Sequence, residues 1–292
     1  HAMNYGLERL QECPLCLRLI RDIHGKLMEG VRGQHRNPGR FRERQNWIGP
    51  MGTDLSSAQY VPPPPNDMQA ALQELEDFLR DEGVRPDLVD CGLAHAQFES
   101  IHPFLDGNGR MGRLLITFLL CQRGVLERPL LYLSYYLKAH RSEYYDSLMK
   151  VRNEGDWEGW LEFFLTGVAK TSRAAHETAR NILELREESR SRVNAEFPNS
   201  PNALELLDCM FEKAVLSINM AADAVGCSYH TARNLVKKFQ ELGLLREITG
   251  QQRNRRYRFD PYVDLFERQS LPAPGDDELQ EIATTESEEE EA

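Results

Sequence analysis

Apolar side chains recur at helical spacing through most of the first 195 residues. After the proline run at 62–65, for example, Met68, Leu72 and Leu75 follow one another at intervals of three or four positions. Such spacing places them on one face of an α-helix, where they can pack into a core. No stretch of this region alternates clearly between apolar and polar residues, as a half-buried strand would. The sequence therefore predicts a mainly α-helical domain over residues 1–195.

Prolines and glycines mark where these helices are interrupted. The segment 31–65 is rich in Gly, Arg and Pro, and we expect a loop with one hairpin there. Asn66 and Asp67 are then expected to cap the next helix. A second break, Phe197–Pro201, contains two prolines and predicts the main domain boundary.

A different order of elements follows this boundary. Two helical patterns precede a longer helix, for which Ser228 is the predicted cap and Gly243 the predicted stop. Two short strands are predicted at 244–248 and 257–259. A helix, a helix-turn-helix and a hairpin follow in the order of a winged helix, which we predict for residues 196–268.

Charge is distributed unevenly along the chain. The formal net charge is −11, but nine acidic residues lie within the segment 276–292. Low complexity and high charge predict a disordered acidic tail over residues 269–292. The total charge therefore does not exclude an anionic partner elsewhere on the protein.

Composition argues against a membrane-spanning or secreted protein. The longest nearly apolar run, Leu114–Cys121, has eight residues, whereas a bilayer span needs about 20. No secretory signal opens the sequence, and the six cysteines lie mostly among apolar residues. This pattern favours reduced thiols in a cytoplasmic protein. The single CxxC motif, Cys13–Cys16, has no second half to complete a zinc site, so packing is favoured over a redox pair.

The most informative segment is 102–113, which reads HPFLDGNGRMGR. Its glycines permit unusual backbone angles directly before a helix, where successive amides can form an anion-binding nest. Arg110 and Arg113 are three positions apart and therefore leave one face of that helix near its start. Guanidinium groups suit phosphate oxygens. Each part alone has a simpler interpretation, as a turn or a solvated face, but together they indicate a phosphate site.

Two further residues of this segment supply chemistry. Asp106 is a hard oxygen ligand suited to the Mg²⁺ that accompanies phosphates. His102 titrates near neutrality and is close enough in sequence to serve as a base, although a lone histidine is usually structural. The combined set indicates phosphoryl or nucleotidyl transfer.

The same segment resembles the signature of the Fic family, H-x-F-x-[DE]-G-N-G-R-x-x-R, and matches every specified position. The resemblance extends over about residues 5–170. It includes GRFR at 39–42, QNWIG at 45–49, YVPP at 60–63, RSEYY at 141–145 and NEGD at 153–156. It implies an α-helical domain with a small β-hairpin flap.

The resemblance also implies an activity, namely transfer of AMP from ATP to a Ser, Thr or Tyr hydroxyl of a target protein or of the chain itself. His102 would be the general base and Asp106 would hold Mg²⁺. The residues implied to bind the phosphates and the nucleoside are Gly107, Asn108, Gly109, Arg110, Arg113, Tyr144, Tyr145 and Asn153. For the two tyrosines, packing within a helical core is an equal alternative.

Residues 49–61 would form the flap that pairs with an extended target segment by strand addition. The inhibitory pattern [ST]-x-x-x-E-[GN] of many relatives is not found, so we expect this form to lack self-inhibition through Arg113. Because the first residues read as helix interior, that segment could also lie upstream. A homodimer is a candidate assembly, and no membrane partner is expected.

The C-terminal domain predicts a second, anionic partner. Between Arg233 and Arg258 the sequence holds eight basic and two acidic residues. The candidate DNA-contacting residues are Ser228, Thr231, Arg233, Asn234, Lys237, Arg253, Arg255 and Arg256. A docking module of the same shape that binds no DNA is the alternative. At the level of the whole chain, the alternative to an enzyme is a DNA-binding transcriptional regulator whose Fic domain senses nucleotide.

Overall fold

A computed structural model describes residues 1–30, 36–49, 52–81, 83, 85–129, 131, 133–251 and 253–267. The chain divides into two compact units between Ser172 and Arg173, rather than at the expected 195/196 boundary. The division lies earlier because Val193 is fully buried in the core of the second unit. The predicted tail, 269–292, lies outside the described residues.

Helices account for nearly all regular structure of the first unit, as the apolar spacing predicts. They are α1 Ala2–Leu10, α2 Leu17–Leu27, α3 Pro65–Arg80, α4 Asp87–Ile101, α5 Asn108–Gln122, α6 Leu133–Ala139, α7 Arg141–Glu154 and the first part of α8 Trp157–Glu196. Helix α3 begins at Pro65 instead of after an Asn66–Asp67 cap, because proline is well tolerated at the first helical position. Within the described part of this unit, the one β pairing is an isolated antiparallel bridge between Ile48 and Tyr60.

The core of the first unit is built around α4 and α5, which pack against each other and against four of the other helices. Its largest fully buried apolar side chains include Phe98, Phe118, Trp160 and Phe164. All six cysteines of the chain are free thiols, and Cys91 lies within this core. No described helix combines the length and the apolar character that a bilayer crossing requires.

The second unit contains the rest of α8 and a small sheet. Its further elements are α9 Pro201–Glu212, β1 Val215–Leu216, α10 Ile218–Val225, α11 Tyr229–Glu241, β2 Arg246–Glu247, β3 Tyr257–Arg258 and α12 Asp260–Glu267. The strands are antiparallel in the order β1-β3-β2. The Ser228 hydroxyl accepts a hydrogen bond from the Thr231 amide and caps α11, and Gly243 follows the end of that helix with φ +69°. Both sequence predictions are thereby confirmed.

The predicted strands of this unit are shorter than expected, and one was missed. Leu244 and Leu245 are core residues before β2, whose residues Arg246 and Glu247 pair with β3. Strand β1 has two residues, too few to leave a periodic signal in the sequence. Its existence depends on pairing with β3, which is distant in the chain.

A close approach between α1 and α5 provides a test of the packing of the first unit. A Cβ atom at Gly6 would lie 2.3 Å from the Phe118 ring, whereas one at Gly25 would meet nothing closer than 3.9 Å. Gly6→Ala should therefore lower the free energy of unfolding by about 1–3 kcal/mol. Gly25→Ala should raise it by about 0.5–1 kcal/mol, because alanine favours the helix.

Urea unfolding followed by tryptophan fluorescence measures both effects, since all three tryptophans lie in the first unit. Equal effects of the two substitutions would contradict the close contact of Gly6 with Phe118.

Candidate functional site

His102 occupies the first position beyond α4 in a left-handed conformation, with φ 48° and ψ 61°. The other non-glycine residues with positive φ in the described chain are all asparagines, which tolerate this region better. For histidine the conformation costs about 1 kcal/mol. The His102 amide closes the helix by donating to the Phe98 carbonyl at 3.0 Å. The surrounding structure therefore holds this residue in a conformation that its type disfavours.

Arg42 holds the other side of the His102 backbone. Its guanidinium is almost fully buried and donates through Nε to the His102 carbonyl at 3.0 Å. It also donates to the carbonyls of Ile101 and Pro63. The carbonyls at the end of α4 carry the negative end of the helix dipole, which a cation stabilises. Burial lowers the pKa of Arg42 to about 10, so the group remains charged at neutral pH.

Burial, together with the positive charges of Arg152 and Arg42, lowers the pKa of His102 to about 3. The Glu99 backbone and the Asp106 carboxylate act in the opposite direction but do not outweigh burial. The imidazole is therefore neutral across the physiological range, which is the state that can accept a proton.

The loop between α4 and α5 is fixed by Asn108. Its Oδ1 accepts from the Phe104 amide at 2.8 Å and its Nδ2 donates to the Phe104 carbonyl at 2.8 Å. Asn46 donates to the same carbonyl at 3.0 Å. The Asn108 side chain is thus committed to the loop, so only its backbone amide can contribute to the predicted anion nest. Phe104 is fully buried, so its ring anchors this loop in the core.

The charged residues of the segment lie at the start of α5. Arg110 Nη2 is 3.2 Å from Asp106 Oδ1, and both side chains are partly exposed. Arg113 is half-buried. Burial lowers the pKa of His95, and the Arg113 charge acts in the same direction. Helix α5 begins at Asn108. The backbone N–H groups of its first turn point out of this end of the helix. A carboxylate and a guanidinium therefore stand together at a helix start suited to an anion.

Asp106 has the chemistry of a magnesium ligand but supplies only one carboxylate. No group of three or more His, Cys, Asp or Glu side chains suited to a metal is found within the described part of the chain. Magnesium keeps several waters and commonly binds through one or two carboxylates and the phosphates of a substrate. The residues present therefore fit a magnesium ion that arrives with its nucleotide.

The residues proposed for the nucleoside lie in different environments. Tyr144 is buried, and its hydroxyl lies 2.9 Å from His95 Nε2. It also packs near Trp160, so the packing interpretation describes its position. Tyr145 and Asn153 are exposed. The structure thus places Tyr145 and Asn153, but not Tyr144, where a ligand can reach them.

Arg152, adjacent to Asn153, was missed by the sequence analysis. Its side chain donates to the Glu99 carbonyl at 2.9 Å and to the Ser100 hydroxyl at 3.2 Å. Its guanidinium lies 3.8 Å from the centroid of the Tyr60 ring. The Tyr60 hydroxyl in turn donates to the Ser100 carbonyl at 2.7 Å. Arg152 therefore joins α7, the end of α4 and the end of the flap.

The segment expected to form the flap contains one rung of β pairing. Ile48 and Tyr60 exchange two backbone hydrogen bonds of 2.8 and 3.1 Å, and the Trp47 indole donates to the Thr53 carbonyl at 3.0 Å. Residues 50 and 51 lie outside the described residues. The two ends of a hairpin-like segment are thus paired with each other, and Tyr60 bonds to Ser100 near the end of α4.

The candidate DNA-contacting residues of the second unit are all exposed, on the first two turns or so of α11 and in the β2–β3 connection. The apolar residues of α11, such as Ala232 and Val236, face the core. Part of the positive charge between Arg233 and Arg258 is neutralised, because Arg246 and Arg258 both pair with Asp260.

Comparison with known proteins agrees with the motif. Residues 14–120 match the sequence profile of the Fic/DOC family. The protein adenylyltransferase Fic of Drosophila willistoni is 32% identical over 177 residues, which cover 58% of this chain and 31% of the fly protein. The Drosophila erecta protein of the same name is 31% identical over 176 residues, with the same coverage. The first unit therefore carries a Fic/DOC family domain.

A solved structure supports the fold. A Fic family protein from Desulfovibrio desulfuricans G20 aligns with a TM-score of 0.51 and 23% identity, covering 87% of this chain and 72% of that one. The chain spans about a third of the length of the curated relatives it matches.

Three neutral buried histidines make the stability of the first unit depend on pH. Burial lowers the pKa of His24, lowers that of His95 to about 4 and lowers that of His102 to about 3. An unperturbed histidine has a pKa of about 6.5. Between that pH and the lowered pKa values of the folded state, the unfolded chain binds more protons than the folded one, so the free energy of unfolding falls as the pH falls. From pH 7 to pH 5, His95 and His102 together should remove about 3–4 kcal/mol of unfolding free energy.

Urea titrations at the two pH values, followed by tryptophan fluorescence, check this expectation. His176→Asn, which removes a histidine that is exposed on α8, serves as the control for a histidine outside the core. An unfolding free energy that stays level between pH 7 and pH 5 would show that the buried histidines do titrate in the folded state.

Proposed function

We propose that this chain is a protein adenylyltransferase that transfers AMP from ATP to a hydroxyl group of a protein. The observation that carries the proposal is the placement of a neutral, buried His102 beside a helix start that combines Asp106 with Arg110. The names of the fly relatives agree with this activity. A pure nucleotide sensor has no use for a base at this position.

In the proposed reaction, His102 accepts the proton of a Ser, Thr or Tyr hydroxyl. The hydroxyl oxygen then bonds to the α-phosphorus of ATP, and the bond to the bridging oxygen breaks, so that pyrophosphate leaves and the AMP-protein ester remains. Backbone amides at residues 107–109 stabilise the negative charge of the transition state. Arg110 and Arg113 bind the β- and γ-phosphates and orient the leaving group.

Asp106 would hold a magnesium ion together with the phosphates, and that ion supplies charge neutralisation when it is bound. The Asp106–Arg110 pair is compatible with this role, because its 3.2 Å contact is partly solvated and such pairs contribute little stability. Arg110 can therefore exchange the carboxylate for a phosphate oxygen at low energetic cost.

The target protein would bind along the flap, residues 49–61, by strand addition. The backbone pairing of Ile48 with Tyr60 gives this segment the hairpin-like base that supports the proposal. Tyr145 and Asn153 are the residues proposed for the nucleoside. We also propose a cytoplasmic location and a homodimer.

Substitution of the base tests the proposal directly. His102→Ala should lower AMP transfer from labelled ATP to a host lysate by about 100-fold or more, as expected for loss of a general base. ATP binding and circular dichroism should stay near those of the parent chain. His176→Ala, which changes an exposed histidine of α8, should transfer at the parental rate.

Transfer that survives His102→Ala would refute the base assignment. Absence of transfer in the parent chain, together with measurable ATP binding, would instead favour the regulator whose Fic domain senses nucleotide.

We propose further that the second unit is a winged helix that binds DNA. The observation favouring this is the shared exposure of Arg233, Asn234 and Lys237 on α11, near the start of the recognition helix in such domains. Arg253 and Arg255 of the β2–β3 connection would contact the phosphate backbone.

Binding to a random-sequence duplex at several salt concentrations tests this second proposal. Arg253→Ala and Arg255→Ala should each weaken binding at all sequences and reduce the salt slope by about one. Arg180→Ala, on an exposed and ion-paired position of α8, is the matched control. A parent chain whose binding shows no salt dependence would argue for the docking module.

A further inference from the structure

His24 of α2 lies fully buried beneath the proposed phosphate site, and no local sequence pattern marks it. Its Nδ1 is 2.9 Å from the Gly39 amide nitrogen, and its Nε2 is 2.9 Å from the Asp106 carbonyl oxygen. Its ring stacks on Phe104 with centroids 3.7 Å apart and an interplanar angle of 3°. Three segments that are distant in sequence therefore meet at one imidazole.

The two hydrogen bonds define the state of this ring. The Gly39 N–H can only donate, so Nδ1 accepts, and the Asp106 carbonyl can only accept, so Nε2 carries the hydrogen. A cationic ring would place an N–H against the Gly39 N–H. Only the neutral tautomer protonated at Nε2 satisfies both partners.

The contact at Asp106 determines the orientation of the following peptide. In a trans peptide the carbonyl and the next N–H point in opposite directions. Because His24 draws the Asp106 carbonyl toward α2, the Gly107 N–H is directed to the opposite side of that peptide. That N–H belongs to the first residue of the proposed anion nest.

Crowding around Gly107 keeps this arrangement tight. Gly107 has φ +82°, and a Cβ atom there would lie 2.9 Å from Met28 Sδ and 3.1 Å from His24 Nε2. The glycine thus allows the imidazole and the thioether to support the peptide from below. A larger residue would push the loop away from His24.

We infer that His24 is a positioning residue for phosphate binding, which acts by orienting the Asp106–Gly107 peptide. The hydrogen bond from Nε2 to the Asp106 carbonyl is the active contact, and the contact with Gly39 holds the ring in place. Both the Gly107 amide and the Asp106 carboxylate depend on it for their placement. The inference rests on the proposed nucleotide-binding function of the site.

Three substitutions separate the contacts of His24. In His24→Gln, the amide nitrogen can replace Nε2 and donate to the Asp106 carbonyl. In His24→Asn, the shorter side chain can replace only Nδ1 and accept from Gly39. His24→Phe retains the stack on Phe104 and loses both hydrogen bonds.

Four measurements compare these variants with the parent chain. The first two are kcat and KM for AMP transfer, and the affinity for a non-hydrolysable ATP analogue in the presence of magnesium. The other two are the NMR signal of the Gly107 amide and the free energy of unfolding in urea. His24→Asn and His24→Phe should lose about 10- to 100-fold in kcat or in affinity, the usual effect of removing a hydrogen bond that orients a ligating group. His24→Gln should recover most of that loss. The Gly107 amide signal should shift in the Asn and Phe variants and return toward the parental position in the Gln variant.

A merely structural role predicts a different result. If activity and affinity per folded molecule match the parent in all three variants, or if Gln and Asn are equally impaired, His24 does not act through the Asp106 carbonyl. If the parent chain transfers no AMP, the proposed function fails, while affinity for the analogue still tests the inference. If the analogue does not bind either, an unchanged Gly107 signal in the free Asn and Phe variants overturns the inference.

Discussion

The buried guanidinium of Arg42 is the interaction on which the geometry of the site depends. It faces backbone carbonyls instead of a carboxylate, and those carbonyls belong to the end of α4 and to the segment after the flap. A buried cation is strongly stabilised by such contacts and strongly penalised without them. Arg42 therefore couples two features that the proposed chemistry requires together, the left-handed His102 and the base of the flap.

Around this cation the site is organised by neutral side chains that hold backbone groups. His24 supports the Asp106–Gly107 peptide, Asn108 bonds to both the amide and the carbonyl of Phe104, and His95 lies 3.0 Å from the Gly112 carbonyl. Each bonds to main-chain groups and leaves the solvent side of the loop to the charged residues. A site arranged in this way is preorganised, because its dipoles are oriented before any ligand binds.

Much of this could be predicted from the sequence, for reasons specific to certain residues. The helical spacing of the apolar residues predicts the mainly α-helical first unit, and the glycines and charges of 102–113 predict a polar loop at a helix start. Ser228 and Gly243 predict the limits of α11 because capping depends on local backbone geometry. The motif also locates the Fic/DOC domain.

The residues that the sequence did not reveal form hydrogen bonds with partners that are distant in the chain. Arg42 bonds to carbonyls about 60 positions away, and His24 to one 82 positions away, so neither leaves a local pattern. A buried histidine or arginine has the same appearance in sequence as an exposed one. Strand β1 was missed for the same reason, since its two residues pair only with the distant β3.

The double role of Asn108 limits which residues can occupy that position. Its side chain must accept from the Phe104 amide and donate to the Phe104 carbonyl at once, while its backbone begins α5. Aspartate would lose the donor and bring a negative charge to a site for anions, and serine would be too short to reach both groups. Sequence drift at this position is therefore restricted by the architecture of the loop itself, independently of which target the flap receives.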